Sequence, residues 1–88
     1  MSYEDIRQTL CEMGYEEAVL LAPPMDYSDA VIGVSDDGRV VYSYTGMVQC
    51  LVDEGMGEDE AMEFIDYNTI RALPYAGKKS PVVVYDLG

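Results

Sequence analysis

Seven carboxylates fall between positions 53 and 66: Asp53, Glu54, Glu58, Asp59, Glu60, Glu63 and Asp66, with no Lys or Arg among them. Such a run can do three kinds of chemistry. A carboxylate pair can serve as general acid and base, a carboxylate set can hold a hard cation, and an acidic surface can dock a basic partner. Glu60 with Glu63, and Asp26 with Asp29, are spaced so that two acids can approach each other. The chain has no histidine. That removes Ser-His and Cys-His catalysis, the usual zinc sites and the commonest general base near neutral pH. No EF-hand spacing is present, and Gly77-Lys78-Lys79-Ser80 resembles a phosphate loop only at its end, so it reads as an exposed turn. No metal site, cofactor or catalytic residue is therefore expected, and a carboxylate-metal hydrolase is the lesser alternative.

The charge distribution narrows the choice of partner. The formal charge is −12, with 16 acids and 2 bases in residues 1–66 against 1 acid and 3 bases in residues 67–88. Direct binding to nucleic acid or to an anionic membrane needs Lys and Arg, which this surface lacks. A basic protein surface is the natural complement. Eight tyrosines, one phenylalanine and no tryptophan add rings that suit arginine-rich surfaces through cation–π contact and charge-assisted bonds. Tyr67 lies beside Glu63 and one turn before Arg71, while Tyr3, Tyr15 and Tyr27 each neighbour an acid. Tyr42 and Tyr85 read as ordinary packing at the edge of a small core. The expected partner-binding set is Asp53, Glu54, Asp59, Glu60, Glu63, Asp66 and Tyr67.

The element that must position this set is a helix over 58–73. Gly57 is its N-cap, and Glu58, Asp59 and Glu60 complement the positive end of its dipole. Arg71 sits in its last turn and Pro74 stops it. Ala61, Phe64, Ile65, Asn68 and Ala72 share an apolar face at 3.6-residue spacing, with Glu60, Glu63 and Tyr67 on another. Asn68, an amide on that apolar face, is expected to bond loop backbone.

Around this helix the chain reads as one α+β domain, residues 1–88, with a small, mostly antiparallel sheet and about three helices packed against it. Ser2 and Asp5 form a capping-box pattern that opens a helix over 2–13, with Ile6, Leu10 and Met13 as its stripe and Gly14 as its C-terminal cap. Residues 18–22 read as a short buried strand ended by Pro23-Pro24. Asp37-Gly38 between two β-branched runs marks a hairpin over 30–44, in which Val40 and Tyr42 share a face. A second helix over 45–54 buries Met47, Val48, Leu51 and Val52, and a last strand covers 81–85. Cys11 and Cys50 lie in separate helices and read as two buried thiols of a reducing compartment, with a single disulfide as the alternative that spacing does not decide. The N-terminus lacks a signal-peptide pattern and no apolar run reaches a membrane span, so a cytoplasmic location in a bacterial host is expected.

The runs DAVIGVSDDGRVVYSYTGMVQCLVDE (29–54) and EAMEFIDYNTIRALPYAGKKSPVVV (60–84) resemble small hypothetical proteins of Gram-positive bacteria and their phages and mobile elements. The resemblance spans about residues 18–85, and EFIDYNTIRALPY (Glu63 to Tyr75) is its most distinctive piece. No functional residue carries over from that family. Small acidic proteins of such origin are often inhibitors of host defence, and type II anti-CRISPR proteins are one such class, several of them acidic mimics of nucleic acid. The expectation is a non-enzymatic inhibitor that docks carboxylates on a basic nucleic-acid-binding protein, foremost a CRISPR RNA-guided nuclease. The alternative is a housekeeping interaction module or homodimer with incidental acidity, which requires an apolar patch near Met47, Met56 or Met62.

Overall fold

Ser2 opens the first helix as the spacing requires. In the computed structural model, which describes residues 2–21 and 27–87, the Asp5 backbone N–H donates to Ser2 Oγ at 3.2 Å, and the Ser2 N–H donates back to Asp5 Oδ2 at 3.3 Å. This reciprocal box starts α1, Tyr3–Glu12, which buries Ile6 and Leu10. Its far end is a Schellman motif, with Tyr15 N–H on the Leu10 carbonyl and Gly14 N–H on the Cys11 carbonyl. Met13 lies at the C-cap and is exposed, so the buried stripe is shorter than expected.

The box predicts a pH response. Hydrogen bonds from the Ser2 backbone and then the Ser2 hydroxyl hold the Asp5 carboxyl below its ordinary value. A carboxylate lowered in the folded state stabilises above its unfolded pKa of about 3.9, and that contribution is lost as pH falls through the lower folded value. Carboxyl ¹³C titration by NMR should therefore place the Asp5 midpoint below the unfolded value. A midpoint at or above it would deny the capping box.

The apolar run at 18–22 does not form a strand over its described part. Ala18 and Leu20 are buried and Val19 and Leu21 half-buried, so the alternation is present. Among the described residues it joins no strand ladder. Val19 N–H bonds the Lys79 carbonyl at 3.2 Å and Leu21 N–H bonds the Tyr42 hydroxyl at 3.0 Å. Ala22, Pro23, Pro24, Met25 and Asp26 lie outside the described residues, and with Asp26 the Asp26–Asp29 pair.

A 3₁₀ turn, Ser28–Ala30, leads into the hairpin of β1, Val31–Val34, and β2, Val40–Ser43. The strands pair antiparallel with a bulge between Val31 and Gly33. Val40 and Tyr42 are buried together, as the period-two pattern requires. The turn places Gly38 at φ +80°, while every non-glycine residue described has negative φ. Arg39 N–H bonds Ser35 Oγ at 3.0 Å, and the Ser35 hydroxyl donates to Asp37. A Cβ added at Gly38 would lie 2.9 Å from Tyr15 Cδ1. Gly38→Ala should therefore cost about 1–2 kcal/mol from left-handed backbone alone, plus the displacement of Tyr15. Urea denaturation showing no loss would contradict the turn.

Ser43 ends β2 and caps α2, Tyr44–Asp53, by accepting the Gly46 N–H at 3.1 Å. The helix thus begins one residue before the expected 45. Met47 and Leu51 are buried, Val48 and Val52 half-buried. A second Schellman motif at Gly55 turns the chain into α3, Glu58–Phe64, which packs against α2.

The expected α-helix over 58–73 holds only to Phe64. Ile65–Thr69 is a π-helical turn, with Ile70 N–H on the Ile65 carbonyl, and Ile70–Ala76 is 3₁₀ with Pro74 inside it. Asn68 accounts for the change. Its side-chain amide donates to the Phe64 carbonyl at 3.2 Å, the acceptor an α-helix reserves for the Asn68 N–H. The wider turn carries Asn68 and Ala72 off the core face and leaves both exposed, while Ile70, five residues after buried Ile65, packs inward. Pro74 does not stop the helical stretch; it lies inside the 3₁₀ segment, which runs on to Ala76.

The last strand, β3, is Val82–Val84, shorter than the expected 81–85. It pairs with β2 in parallel, Ser43 opposite Val84. The sheet order is β1-β2-β3, so the sheet is mixed rather than mostly antiparallel. The two helices between β2 and β3 make the crossover that a parallel pair needs. Arg39 locks the return by donating from Nε to the Ser80 carbonyl at 2.8 Å and from Nη2 to Ser80 Oγ at 3.2 Å. Cys11 is exposed on α1 rather than buried, because Ile6 and Leu10 hold the inward face; Cys50 is half-buried, and the two are not joined in a disulfide. No helix among the described residues is long and apolar enough to cross a membrane.

Candidate functional site

Burial of Ala61 and Ile65 fixes which side of α3 faces water. Residues at helical spacing from Glu60 then meet on the outer side. Glu60, Glu63, Phe64, Tyr67 and Asn68 line a shallow open notch of about 240 Å³. Glu60 and Glu63 are exposed, and Tyr67 is 66% exposed. The Arg71 guanidinium sits over the Tyr67 ring at 4.8 Å from its centroid, so this ring already takes a cation on its face.

The structure brings together Glu60, Glu63 and Tyr67, and it places the rest of the expected set elsewhere. Asp59 is exposed in the first turn of α3 but does not line the notch. Asp66 accepts the Tyr44 hydroxyl at 3.2 Å. Asp53 accepts the Gln49 side-chain amide at 2.8 Å, and Glu54 is the exposed C-cap of α2. Glu58, Asp59 and Glu60 sit where the helix dipole favours them. Asp53 and Glu54 sit at the opposite kind of helix end, where each negative charge opposes the dipole by about 0.3–1 kcal/mol. Helix stability therefore explains the first group and not the second.

Four of the five cations have contacts with groups other than these carboxylates. Arg7 lies over Tyr3 at 5.5 Å, Arg39 binds Ser80, Lys79 binds the Asp37 carbonyl, and Arg71 covers Tyr67. Tyr27, one of the tyrosines expected at a surface, is instead buried, and Tyr3 and Tyr15 are half-buried.

One cluster was not legible in the sequence. Tyr44 and Tyr85 stack with centroids 4.7 Å apart and planes tilted by 39°. Asp66 flanks Tyr44, and both carboxylate oxygens of Asp86 lie 2.8 Å from the Ser43 hydroxyl, which donates to them. Tyr85 is 61% exposed rather than core. Burial first, then the hydrogen bond to Asp66, push the Tyr44 hydroxyl above its ordinary pKa, so it stays a donor. The parallel register of Ser43 with Val84 is what joins these ends. Only the adjacency of Ser43-Tyr44 and Tyr85-Asp86 hinted at it.

Among the described residues, no three His, Cys, Asp or Glu side chains are placed to hold a metal ion together. Comparisons of the chain with protein families, with curated proteins and with solved structures find no match.

Proposed function

We propose that this chain is a non-enzymatic inhibitor whose acidic face occupies the nucleic-acid-binding surface of a basic protein. The observation that carries this reading is the pair Glu60 and Glu63 on the outward side of α3, continued by Tyr67 of the π turn that follows. Carboxylates three residues apart on a helix recur about every 4.5 Å. An arginine reaching the row meets two carboxylates and a ring face, and Arg71 on Tyr67 displays the stacking half of that contact within the chain itself. The foremost target is a CRISPR RNA-guided nuclease, which reads a short duplex motif with arginines and holds nucleic acid in a positive channel. The resemblance of residues 18–85 to small proteins of phages and mobile elements points the same way.

The experiment is capture from a bacterial host lysate on immobilised protein, with elution in rising salt. Basic nucleic-acid-binding proteins, including the nuclease, should be retained at low salt and released as screening increases. Recovery of no such protein would contradict the reading.

A second reading, an interaction module or homodimer, has its own observation. Met47 is core and Met56 half-buried, and of the three methionines only Met62, 38% exposed on α3, stands at the surface. Ile32 is 62% exposed, however, and with Met13 it lines a groove of about 310 Å³ between α1 and β1. Size-exclusion chromatography with light scattering separates the two. A dimer mass that persists at high salt favours the groove, and a monomer at every salt concentration favours the acidic face.

A further inference from the structure

The strand order β1-β2-β3 leaves β1 at an edge of the sheet. β1 reads Val-Ile-Gly-Val, with no charge and no proline, the residues that commonly guard an exposed edge. Its irregularity is the bulge, where Ile32 has no partner on β2 and is 62% exposed. Beyond the hairpin itself and the Val31 N–H bond to the Ser28 carbonyl, no backbone bond holds β1 among the described residues. A Cβ added at Gly33 would meet no atom within 4 Å, so the space beside the edge is open.

Along this edge runs the groove of about 310 Å³ between α1 and β1. Ile6, Leu10 and Met13 form its helix wall, and Val31, Ile32 and Val34 its strand wall. Thr9 brings the one polar side chain of the described lining. Met13 is 55% exposed, so both walls present apolar surface to water. From Ile6 to Met13 a helix advances about 10 Å, and four strand residues span about 13 Å. A trough of that length beside an open edge suits an extended chain. Such a chain pairs with edge backbone and sets alternate side chains into the trough.

Charge decides the occupant. Asp29 stands two residues before β1 and Asp36 two residues after it, both exposed. α1 adds Glu4, Asp5 and Glu12 against Arg7, whose guanidinium lies over Tyr3. Residues 22–26, outside the described part, contain no Lys or Arg to offset these acids. A second copy laid antiparallel on β1, centred between Ile32 and Gly33, would set Asp29 of each chain against Asp36 of the other. It would also bring a second net charge of −12. Lys or Arg at both ends of an incoming segment meets the same acids favourably.

We propose that β1 and the groove beside it bind an extended segment of another protein, apolar at its centre and carrying Lys or Arg at both ends. The groove shares no described lining residue with the acidic notch, and the proposal does not rest on the inhibitor reading.

The probes are three capped peptides: KRVLVKR, SSVLVSS without the charge, and KRSGSKR without the apolar centre. Each is titrated into ¹⁵N-labelled full-length protein and followed by amide shifts. KRVLVKR should give saturable shifts at Met13, Ile32, Gly33 and Val34. It should bind about tenfold or more tightly than either other peptide, since one lacks the charge pairs and the other the apolar burial. Its advantage over SSVLVSS should shrink as salt rises. Ile32→Lys and, separately, Met13→Lys each place a cation at an exposed position of one wall. Each should weaken KRVLVKR about tenfold or more, with the urea midpoint as control for folding. Glu60→Lys with Glu63→Lys should change that affinity by less than about twofold at physiological salt, where charges beyond about 8 Å are screened. Absence of localised shifts, shifts confined to α3, or equal affinity for KRSGSKR would overturn the proposal. So would a dimer mass in light scattering that Ile32→Lys abolishes, because a second copy would then hold the edge.

Discussion

Reversing Glu60 and Glu63 together to Lys should weaken partner binding on the order of a hundredfold and leave the protein folded. Both side chains are exposed and line the notch opposite buried Ala61 and Ile65, so neither supports the core. Two changes of +2 each take the net charge from −12 to −8 and set like charge against a basic partner. Desolvated charge pairs at an interface couple by about 1.5–7 kcal/mol each, so two moderate pairs amount to a hundredfold or more. A lysine at position 60 opposes the helix dipole by about 0.3–1 kcal/mol, a small fraction of the stability of a domain. The matched control is Glu12→Lys with Asp36→Lys, which makes the same charge change at two exposed positions outside α3. Asp37 is a poor choice for that control, because its carboxylate takes the Ser35 hydroxyl and its carbonyl takes Lys79. Binding measured by calorimetry should fall far more for the α3 pair. Equal losses would assign the attraction to long-range charge rather than to a docked helix, and no loss in either would remove the mimicry altogether.

Ile65→Ala should destabilise the fold by about 2–4 kcal/mol. Ile65 is fully buried, in one core cluster with Met47, Leu51 and Ala61, and it stands where α3 passes into the π turn. A domain of this length has about 4–13 kcal/mol to lose, so urea denaturation at equilibrium reads the effect easily. A loss below about 1 kcal/mol would mean that the cavity collapses around Ile70 and that the inward face of this helix is not anchored at Ile65.

Locally encoded features were legible in the sequence. The Ser2–Asp5 box, the Asp37-Gly38 turn, the Gly55 helix end and the alternation of Val40 and Tyr42 each depend on neighbours within a few residues, and each is present. The grouping of Glu60, Glu63 and Tyr67 follows from helical spacing alone. Non-local choices were hidden. Whether the 82–84 run pairs with β2 or another strand, and in which direction, is decided by how α2 and α3 carry the chain back. That same choice created the Tyr44–Tyr85 stack and left residues 18–21 without a strand partner. The π turn was hidden for a different reason. Periodicity assumes one hydrogen-bond pattern, and a single Asn68 side chain competing for the Phe64 carbonyl changes it. Asn68 was conspicuous as an amide on an apolar face, and it sits outside the core because the turn widens at that point.

The most direct measurement is cleavage of target DNA by a guide-loaded type II CRISPR nuclease, with this protein added before the DNA. Docking of the acidic face predicts loss of cleavage at near-stoichiometric protein, relief as salt rises, and little effect once target DNA already fills the channel. Cleavage unchanged at large molar excess and low salt, with no complex between the two proteins, would contradict it.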